Sequence, residues 1–309
     1  MNSTKHLIVL LGPTAVGKTE LSLQLAEHYA MPILNADSRQ LFRDMRIGTA
    51  APTSEQLDRI PHHFVGTLAL DEYYSAARFE QDALQFLQQH FRRHPMALLS
   101  GGSMLYIDAL CDGIDDIPTV DEDIRQHIKQ RLQSEGLDSL RDELRTVDFP
   151  TYQRIDLKNP RRIVHALEIY YTSGRPYSSF LNQERPPRPF HVIKIGLHRE
   201  RTELFQRINQ RVDQMMDDGL LDEVRQLLPY RHFNALHTVG YNELFRYLDG
   251  EWPLPMAVER IKKNTRVYAK KQMTWFKRDQ CIHWFHPDQF HDIVRLIDQE
   301  LDHHSTGHP

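Results

Sequence analysis

The sequence predicts an α/β fold, in which a parallel sheet is flanked by helices around a P-loop turn and carries an all-helical insertion. Three observations lead to this prediction. Short apolar runs alternate with helical patterns in the N-terminal third, a glycine-rich turn joins the first run to a helix, and a highly charged stretch later interrupts the alternation. Alternating strands and helices favour a parallel sheet with right-handed crossovers.

The predicted strands are short and apolar, as buried parallel strands are. They are Leu7–Leu11, Pro32–Ala36, Met96–Ser100, His191–Leu197 and a short run over Cys281–His286. Helices starting near Lys18 and Tyr74 fall between the first three strands. The polar tail from Asp302 is expected to be disordered.

The insertion is predicted over residues 121–185, which are highly charged and contain no convincing strand. Apolar residues recur there at helical spacing, as in Ile124, Ile128 and Leu132, and a proline-rich segment at 185–189 closes the stretch. We therefore divide the chain into a P-loop core (1–117), a helical insertion (118–189) and a completion of the core with a basic helix and a last strand (190–309).

Composition and charge indicate the compartment in which the protein is expected. The chain has 309 residues, a net charge of −4 and two distant cysteines, which indicates a reducing compartment without a disulfide framework. Neither a signal-peptide layout nor an apolar run of membrane-spanning length is present in the sequence. We expect a cytoplasmic monomer with no membrane contact.

The glycine-rich turn reads Gly12-Pro13-Thr14-Ala15-Val16-Gly17-Lys18-Thr19. A G-x-x-x-x-G-K-[ST] pattern between a strand and a helix is that of a P-loop. Its glycines let consecutive backbone N–H groups point at one place, which the positive end of the helix dipole also faces. Lys18 adds a charge for the terminal phosphate and Thr19 a hydroxyl for Mg²⁺. The sequence therefore predicts a site for a phosphorylated ligand.

Two strand ends argue against an ordinary ATPase. Most P-loop hydrolases place an acid at the end of a second apolar strand, but Met96–Ser100 runs into Gly101-Gly102-Ser103. Asp37 follows strand 32–36 instead, and at that carboxyl end it should face the crevice above the P-loop. A carboxylate there can ligate metal or take a proton from a nucleophile. The alternative is that Asp37 only caps a helix.

A helix predicted over Glu259–Arg278 carries a one-sided basic stripe. The stripe consists of Lys263, Arg266, Lys270 and Lys277. The residues predicted to pack inward are Ile261, Thr265, Tyr268, Gln272 and Trp275 or Phe276. The insertion adds Arg154, Lys158, Arg161 and Arg162. Positive charge segregated within a chain of net negative charge is typical of a polyanion site such as folded RNA, although a solvated helix face is the alternative.

Taken together, these motifs resemble those of the tRNA dimethylallyltransferases (tRNA isopentenyltransferases), from about Leu7 to Phe285. The matching segments are Gly12–Thr19, Ala36–Ser38, Ile47–Ala50, Pro61–His63, Tyr74–Phe79, Gly101–Tyr106, Asn159–Arg162, Ala166–Glu168, Arg207–Ile208, Arg211–Val212, Val239–Tyr241, Thr265–Arg266 and Lys270–Phe276. The resemblance implies transfer of a dimethylallyl group from dimethylallyl diphosphate to N6 of an adenine. That adenine is position 37 of the tRNA, on the 3′ side of the anticodon, in tRNAs reading codons that begin with U.

The resemblance also implies roles for individual residues. Asp37 matches the general base, Arg211 a diphosphate clamp and Thr19 the hydroxyl that serves Mg²⁺, the implied cofactor. The diphosphate-binding residues are Gly12, Pro13, Thr14, Ala15, Val16, Gly17, Lys18 and Thr19. The implied contacts with the tRNA anticodon stem-loop are Asp37, Ser38, Arg39, Gln40, Ser103, Arg125, Arg161, Arg162, Ile163, Val164, His165, His237, Thr238, Val239, Gly240, Tyr241 and Asn242, to which the basic stripe adds Lys263, Arg266 and Lys270.

Departures from the family pattern leave a few alternatives open. The residues that differ from the usual ones are Phe42, Ala51, Ser103, Phe149, His165 and Asn242. Such changes are compatible with a paralogue of shifted tRNA preference, whereas Thr19, Asp37 and Arg211 match the pattern. The rival functions are a nucleotide or small-metabolite kinase, an adenylate dimethylallyltransferase acting on free nucleotide, and a non-catalytic RNA-binding module.

Overall fold

A single parallel sheet organises the part of the chain that the computed structural model describes, residues 4–115, 117–181 and 187–306. Its strands are β1 (His6–Leu11), β2 (Ile33–Ala36), β3 (His62–His63), β4 (Met96–Gly101), β5 (His191–Leu197) and β6 (His283–Phe285). They lie in the order β3-β2-β4-β1-β5-β6, and every pair is parallel. The predicted α/β fold is confirmed.

Helices cover both faces of this sheet and form the insertion. They are α1 (Lys18–His28), α2 (Ser54–Arg59), α3 (Ala76–His90), α4 (Met104–Asp112), α5 (Glu122–Ser134), α6 (Gly136–Val147), α7 (Phe149–Arg154), α8 (Pro160–Ser173), α9 (Arg201–Asp217), α10 (Leu220–Leu227), α11 (Tyr241–Leu248), α12 (Leu254–Phe276) and α13 (Phe290–Thr306).

Strand β1 shows why the sheet is buried on both sides. All its residues are buried, and successive side chains point to opposite faces. Leu7, Val9 and Leu11 join one apolar cluster, whereas Ile8 and Leu10 join the other. Packing on both faces fixes the strand rigidly, so the carboxyl ends of β1, β2 and β4 form a stable edge for a site.

The element limits differ from the predicted ones in instructive ways. Strand His191–Leu197 has the predicted limits, whereas β6 is shorter than the predicted 281–286. Strand β3 was not predicted, because two residues are too few to show a periodic pattern. Helix α3 begins two residues after the predicted Tyr74, since the Ser75 side chain caps it by accepting the N–H of Arg78 (3.2 Å).

The chain divides into two compact units, one comprising Met1–Asp112 and Arg188–Pro309 and the other Gly113–Pro187. Within its described residues the second unit has helices α5–α8 and a short 3₁₀ turn but no strand, which confirms an all-helical insertion. Its core includes Ile128, Leu144 and Ile163. The side chain of Asn159 caps α8, whose first residue is a proline.

The C-terminal helix extends beyond the point where disorder was predicted. Helix α13 continues to Thr306, so the prediction of a disordered tail is wrong for residues 302–306, and residues 307–309 lie outside the described residues. The amphipathic pattern of α13 buries Ile293 and Ile297 against the sheet cluster. Across the described ranges, no helix has both the length and the hydrophobicity to cross a bilayer.

Candidate active site

The P-loop turn lies between the end of β1 and the start of α1, and its glycines are required by geometry. Gly12 and Gly17 have φ angles of 149° and 119°, in the region that favours glycine. A Cβ on Gly12 would also lie 2.8 Å from the carbonyl oxygen of Leu197 on β5. The turn is therefore pressed against the sheet edge, with the first N–H groups of α1 facing the crevice.

Lys18 lies at the centre of this turn. Its Nζ donates to the carbonyl oxygens of Gly12 and Pro13, each at 2.9 Å. Burial, together with the neighbouring Arg211 guanidinium, lowers the pKa of Lys18 from 10.5 to about 7, and the carboxylate of Asp37 opposes that shift. Binding of an anion beside this half-buried ammonium is therefore favoured, because the anion stabilises its charged form.

Helix α9 brings arginines to the same turn. Nη1 of Arg211 is 3.5 Å from Oγ1 of Thr14, and Nε of Arg207 donates to the carbonyl oxygen of Ala15 (3.0 Å). Burial lowers the pKa of Arg211 from its usual value, with Asp37 opposing the shift, although a guanidinium keeps its charge in proteins. Arg211 and Lys18 thus present two half-buried cations to the crevice.

Asp37 stands directly after β2 and faces these cations across the crevice. Its Oδ1 accepts the backbone N–H groups of Arg39 (2.9 Å) and Gln40 (3.4 Å). Because residues 38–41 form a turn rather than an α-helix, the alternative that Asp37 caps a helix is wrong. The two hydrogen bonds instead orient the carboxylate at the carboxyl end of the strand.

Strand β4 supports the Asp37 turn from the next position in the sheet. A Cβ on Gly101 would lie 2.2 Å from the carbonyl oxygen of Ala36, so only glycine permits this approach of β4 to β2. The N–H of Ser103 donates to the same carbonyl (3.0 Å), and its Oγ accepts the N–H of Ser38 (2.8 Å). Ser103 therefore fastens the turn to β4 from a buried position.

Gln272 on α12 is a site residue that the sequence did not reveal. Its Oε1 accepts the N–H of Thr14 (3.0 Å), and its Nε2 donates to the carbonyl oxygen of Gly102 (2.8 Å). The side chain is 2% exposed, so the bond to Gly102 is buried, and the bond from Thr14 is partly buried. The helical pattern predicted that Gln272 packs inward, and the matching segment Lys270–Phe276 included it, but neither assigned it to the P-loop.

Two adjoining cavities unite these groups. The larger, about 590 Å³, is lined by Lys18, Thr19, Asp37 and Arg211 among others. The smaller, about 270 Å³, shares Thr14, Asp37 and Arg211 with it but has apolar walls that include Ile208 and Val212. The structure thus brings the three predicted catalytic residues, Thr19, Asp37 and Arg211, to one crevice.

Tyr268 corrects the predicted inner face of α12. Its side chain is 38% exposed and lines both cavities instead of packing inward. Ala269 and Gln272 take the fully buried positions. A helix that forms part of a crevice wall must leave one edge of its apolar stripe unpacked, and Tyr268 occupies that edge.

Two further groups of predicted tRNA contacts lie in the first unit, and the first consists of Arg39 and Gln40. Arg39 and Gln40 are engaged with protein carbonyls: Nη1 of Arg39 donates to Asn234 and Ala235 (3.0 and 3.1 Å), and Nε2 of Gln40 to Thr49 and Ala50 (3.0 Å each). The second group is the segment 237–242. His237 and Asn242 are exposed, Thr238, Val239 and Gly240 line the smaller cavity, and the side chain of Tyr241 is completely buried.

Within the insertion unit, the predicted contacts lie on α5 and α8. Arg161, Arg162 and His165 are exposed, Val164 and Arg125 are half-buried, and Arg125 bonds Glu122 (3.2 Å). Ile163 is completely buried in the unit's core. A direct contact through the side chains of Ile163 or Tyr241 is therefore excluded in this conformation, since no surface of either is accessible.

The basic stripe on α12 is partly a packing feature. Lys263, Lys270 and Lys277 are exposed, as predicted. Arg266 is half-buried and donates a hydrogen bond to Oδ1 of Asn209. Its guanidinium lies over the ring of Phe205, 6.0 Å from the centroid, and Nζ of Lys270 lies 5.5 Å from the same centroid. Arg266 thus links α12 to α9, and only part of the stripe is a free cationic surface.

A strand, a glycine-rich turn and a helix with convergent half-buried cations define a P-loop protein built for a phosphorylated ligand. Comparison with known proteins narrows this class. A family model described as IPP transferase matches residues 40–279. The chain is 59% identical over 291 residues to tRNA dimethylallyltransferase 1 of Bacteroides thetaiotaomicron, covering 94% of each chain. It is 54% identical over 301 residues to tRNA dimethylallyltransferase 2 of Parabacteroides distasonis, covering 97% of this chain and all of that one.

Solved structures agree with these relatives. The full-length tRNA isopentenylpyrophosphate transferase of Bacillus halodurans superposes with a TM-score of 0.71 at 34% identity, covering 97% of this chain and 98% of that one. A eukaryotic dimethylallyltransferase acting on tRNA gives a TM-score of 0.75 at 28% identity, covering 88% of this chain and 70% of that one. The chain belongs to the IPP transferase family, the tRNA dimethylallyltransferases, and is a transferase.

Proposed function

We propose that this chain transfers the dimethylallyl group from dimethylallyl diphosphate to N6 of the adenine 3′ to the anticodon, giving N6-dimethylallyladenosine in tRNAs that read codons beginning with U. The observation that supports this most is the shared crevice. Lys18 and Arg211 line the same cavity as Asp37, so a leaving diphosphate and an acceptor amine have charged groups of the right sign on either side.

The donor end of the crevice suits a diphosphate leaving group. As the allylic carbon–oxygen bond breaks, negative charge grows on the leaving oxygens, and donors already in place stabilise it most effectively. Lys18, Arg211 and the first N–H groups of α1 are such donors, because the protein's own contacts hold them at this position. Strand β4 ends without an acid there, which is consistent with a P-loop that does not serve ATP hydrolysis.

The acceptor end suits removal of a proton. The described hydrogen bonds of Asp37 use Oδ1 and leave Oδ2 to accept the N6 proton as the carbon–nitrogen bond forms. The adenine must leave the loop stack to reach this carboxylate, at a cost of a few kcal/mol. The exposed ring of Tyr268 in the crevice wall offers a stacking surface for such a base.

Magnesium fits this site only as a companion of the diphosphate. In residues 4–115, 117–181 and 187–306, no three His, Cys, Asp or Glu side chains meet as a metal site. Mg²⁺ commonly takes one or two protein oxygens and completes its shell with phosphate oxygens and water. The hydroxyl of Thr19 at the start of α1 would hold such an ion, which neutralises charge on the leaving group when bound.

We propose that the protein acts as a monomer in the cytoplasm. It would contact the tRNA anticodon stem-loop through Lys263, Lys270 and the exposed residues of 237–242 and of α8. Replacing both Lys263 and Lys270 by Gln should weaken tRNA binding and make its affinity less dependent on salt concentration, because each phosphate contact adds to the salt slope. Arg266 is left in place because it packs against α9. An unchanged salt slope would show that the stripe is only a solvated face.

The deciding experiment incubates the protein with dimethylallyl diphosphate, Mg²⁺ and unmodified tRNA, followed by mass analysis of the nucleosides. We expect an adenosine carrying one five-carbon group. Parallel reactions with AMP and ATP as acceptors test the free-nucleotide alternative, and phosphate release from ATP tests the kinase alternative. Brisk ATP turnover without a prenylated nucleoside would overturn the proposal.

A further inference from the structure

Glu223 on α10 gathers four hydrogen bonds on one carboxylate, at the loop between β2 and α2. Its Oε2 accepts the backbone N–H groups of Arg46 (2.9 Å) and Ile47 (2.7 Å). Its Oε1 accepts the N–H of Gly48 (2.9 Å) and the hydroxyl of Tyr241 (2.7 Å). A carboxylate held by three backbone donors is a strong anchor, because a hydrogen bond to a charged group is stronger than one between neutral groups.

Tyr241 completes the anchor from the other side of the loop. Its side chain is completely buried at the start of α11. A Cβ on Gly48 would lie 2.7 Å from the Tyr241 ring, so the loop backbone rests directly on that ring. Charge and packing therefore fix the same three-residue stretch, and they do so through Glu223 and Tyr241, which line neither of the two crevice cavities.

The anchored loop leads directly to the predicted base. The carbonyl oxygens of Thr49 and Ala50, which follow the anchored stretch, accept Nε2 of Gln40. The N–H of Gln40 is in turn bonded to Oδ1 of Asp37 (3.4 Å). Thr49 lines both cavities. A shift of the loop would therefore move the wall beside Asp37 as well as the turn that orients it.

The P-loop is supported by different residues. Gln272, Arg207 and Lys18 bond its backbone. In the described part of the chain, none of the hydrogen bonds or ion pairs of Glu223 reaches residues 12–19. The P-loop thus has supports that do not include Glu223, and the Glu223 anchor serves the wall that carries Asp37.

We propose that Glu223 is a positioning residue for the acceptor adenine: through loop 46–50 and Gln40 it sets the place of Asp37 and of the wall against which the base lies. The inference rests on the proposed function, since it concerns the acceptor of that reaction. It predicts that loss of the anchor impairs the use of tRNA while the diphosphate end of the crevice keeps its affinity.

Glu223→Gln is the first test. It keeps the size of the side chain but turns one accepting oxygen into a donor that faces N–H groups. We expect kcat/KM for tRNA to fall roughly 10- to 100-fold, since a misplacement of about 1 Å can cost 100-fold. The Kd for inorganic pyrophosphate with Mg²⁺, measured by calorimetry, should stay within about twofold, because the P-loop keeps its own supports.

Matched variants separate positioning from general damage. Tyr241→Phe removes one of the four hydrogen bonds and should give a smaller loss of the same kind. Asp222→Asn, at the exposed neighbour whose carboxylate pairs with Arg225 (2.8 Å), should leave both constants unchanged. Gly48→Ala displaces the anchored loop while leaving the Glu223 side chain unchanged, because the added Cβ would meet the Tyr241 ring. It should reproduce the Glu223→Gln result, which keeps the test valid if one variant fails to fold.

The outcomes are distinguishable. A wild-type protein that prenylates no tRNA overturns the proposed function, and this inference with it. If the wild-type protein is active and the Glu223→Gln and Gly48→Ala variants keep its kcat/KM for tRNA, the positioning role alone is overturned. Equal losses in tRNA use and pyrophosphate affinity would show that Glu223 supports the whole crevice, and would also overturn it.

Discussion

The two walls of the crevice are built differently. The donor wall is one contiguous motif, Gly12–Thr19, whose backbone is held by side chains from far along the chain, such as Gln272, 258 residues from Thr14. The acceptor wall combines the turn after β2 with loop 46–50, and backbone groups held by Ser103, Gln40 and Glu223 shape it. A contiguous motif is visible in a sequence, whereas a wall assembled from separate loops is not.

This difference indicates a division of labour. Fixed cations and N–H groups on the donor wall suit a ligand that is the same in every turnover. Backbone-held loops on the acceptor wall suit a macromolecule whose base must be inserted each time. Substitutions in the two walls should therefore affect different kinetic constants, and the variants below test that separation.

The largest effect is expected for Asp37→Asn. The amide oxygen still accepts the N–H of Arg39, so the turn is kept and only the proton acceptor is lost. We expect kcat to fall about 10²- to 10⁴-fold, the range typical of a lost general base. Single-turnover assays with saturating tRNA and donor measure it, and filter binding should show unchanged tRNA affinity. A loss of less than about tenfold would assign Asp37 to the turn alone.

Arg211→Gln should have the next largest effect, on the opposite wall. Removal of a half-buried cation beside the leaving diphosphate should lower kcat/KM for the donor about 10²- to 10³-fold, as loss of one preorganised donor does. Steady-state kinetics with varied dimethylallyl diphosphate measure the change. Arg225→Gln, an exposed arginine on α10, is the matched control and should behave as wild type. A defect confined to the KM for tRNA would contradict the division between the walls.

Much of the fold was predictable because central parallel strands are apolar runs flanked by glycine or proline. The limits of His191–Leu197 and the start of α1 at Lys18 agree with prediction for this reason. Strand β3 was not predicted, because its two residues form a strand only through pairing with β2. The end of helix α13 was predicted wrongly, because this polar segment continues a helix whose earlier turns pack on the core.

The site was predictable only where chemistry leaves a local pattern. The P-loop and Asp37 at a strand end were found in this way, and the family resemblance supplied Arg211. Gln272 and Glu223 left no signal, because a buried amide and a carboxylate that bonds backbone look like ordinary helix residues in a sequence. Tyr268 was placed on the wrong side, since helical periodicity does not show which edge of a stripe borders a cavity.

Gln272→Met should give a moderate effect on the donor wall. The change keeps much of the volume but leaves the N–H of Thr14 and the carbonyl of Gly102 without partners, and each buried orphan costs about 1–3 kcal/mol. We expect the KM for dimethylallyl diphosphate to rise roughly tenfold, with a smaller change in kcat. Gln210→Met, at an exposed position lining the same cavity, is the control. An effect on tRNA use alone would place Gln272 on the acceptor wall.

The smallest effect, an uptake of about one proton, tests the charge state of the donor wall. The pKa of Lys18 in the free protein is about 7, below its ordinary 10.5, because burial disfavours the ammonium. A bound pyrophosphate stabilises the ammonium and raises that pKa again, so binding at pH 8.5 should take up protons at Lys18. At pH 5.5 the lysine is already charged and should take up none. Calorimetry in buffers of different ionisation enthalpy counts the protons, and Lys18→Arg, charged at both pH values, provides the baseline. Equal proton counts for both proteins at pH 8.5 would mean that Lys18 is already charged in the empty crevice, and that the donor wall is preset for its anion without any proton uptake.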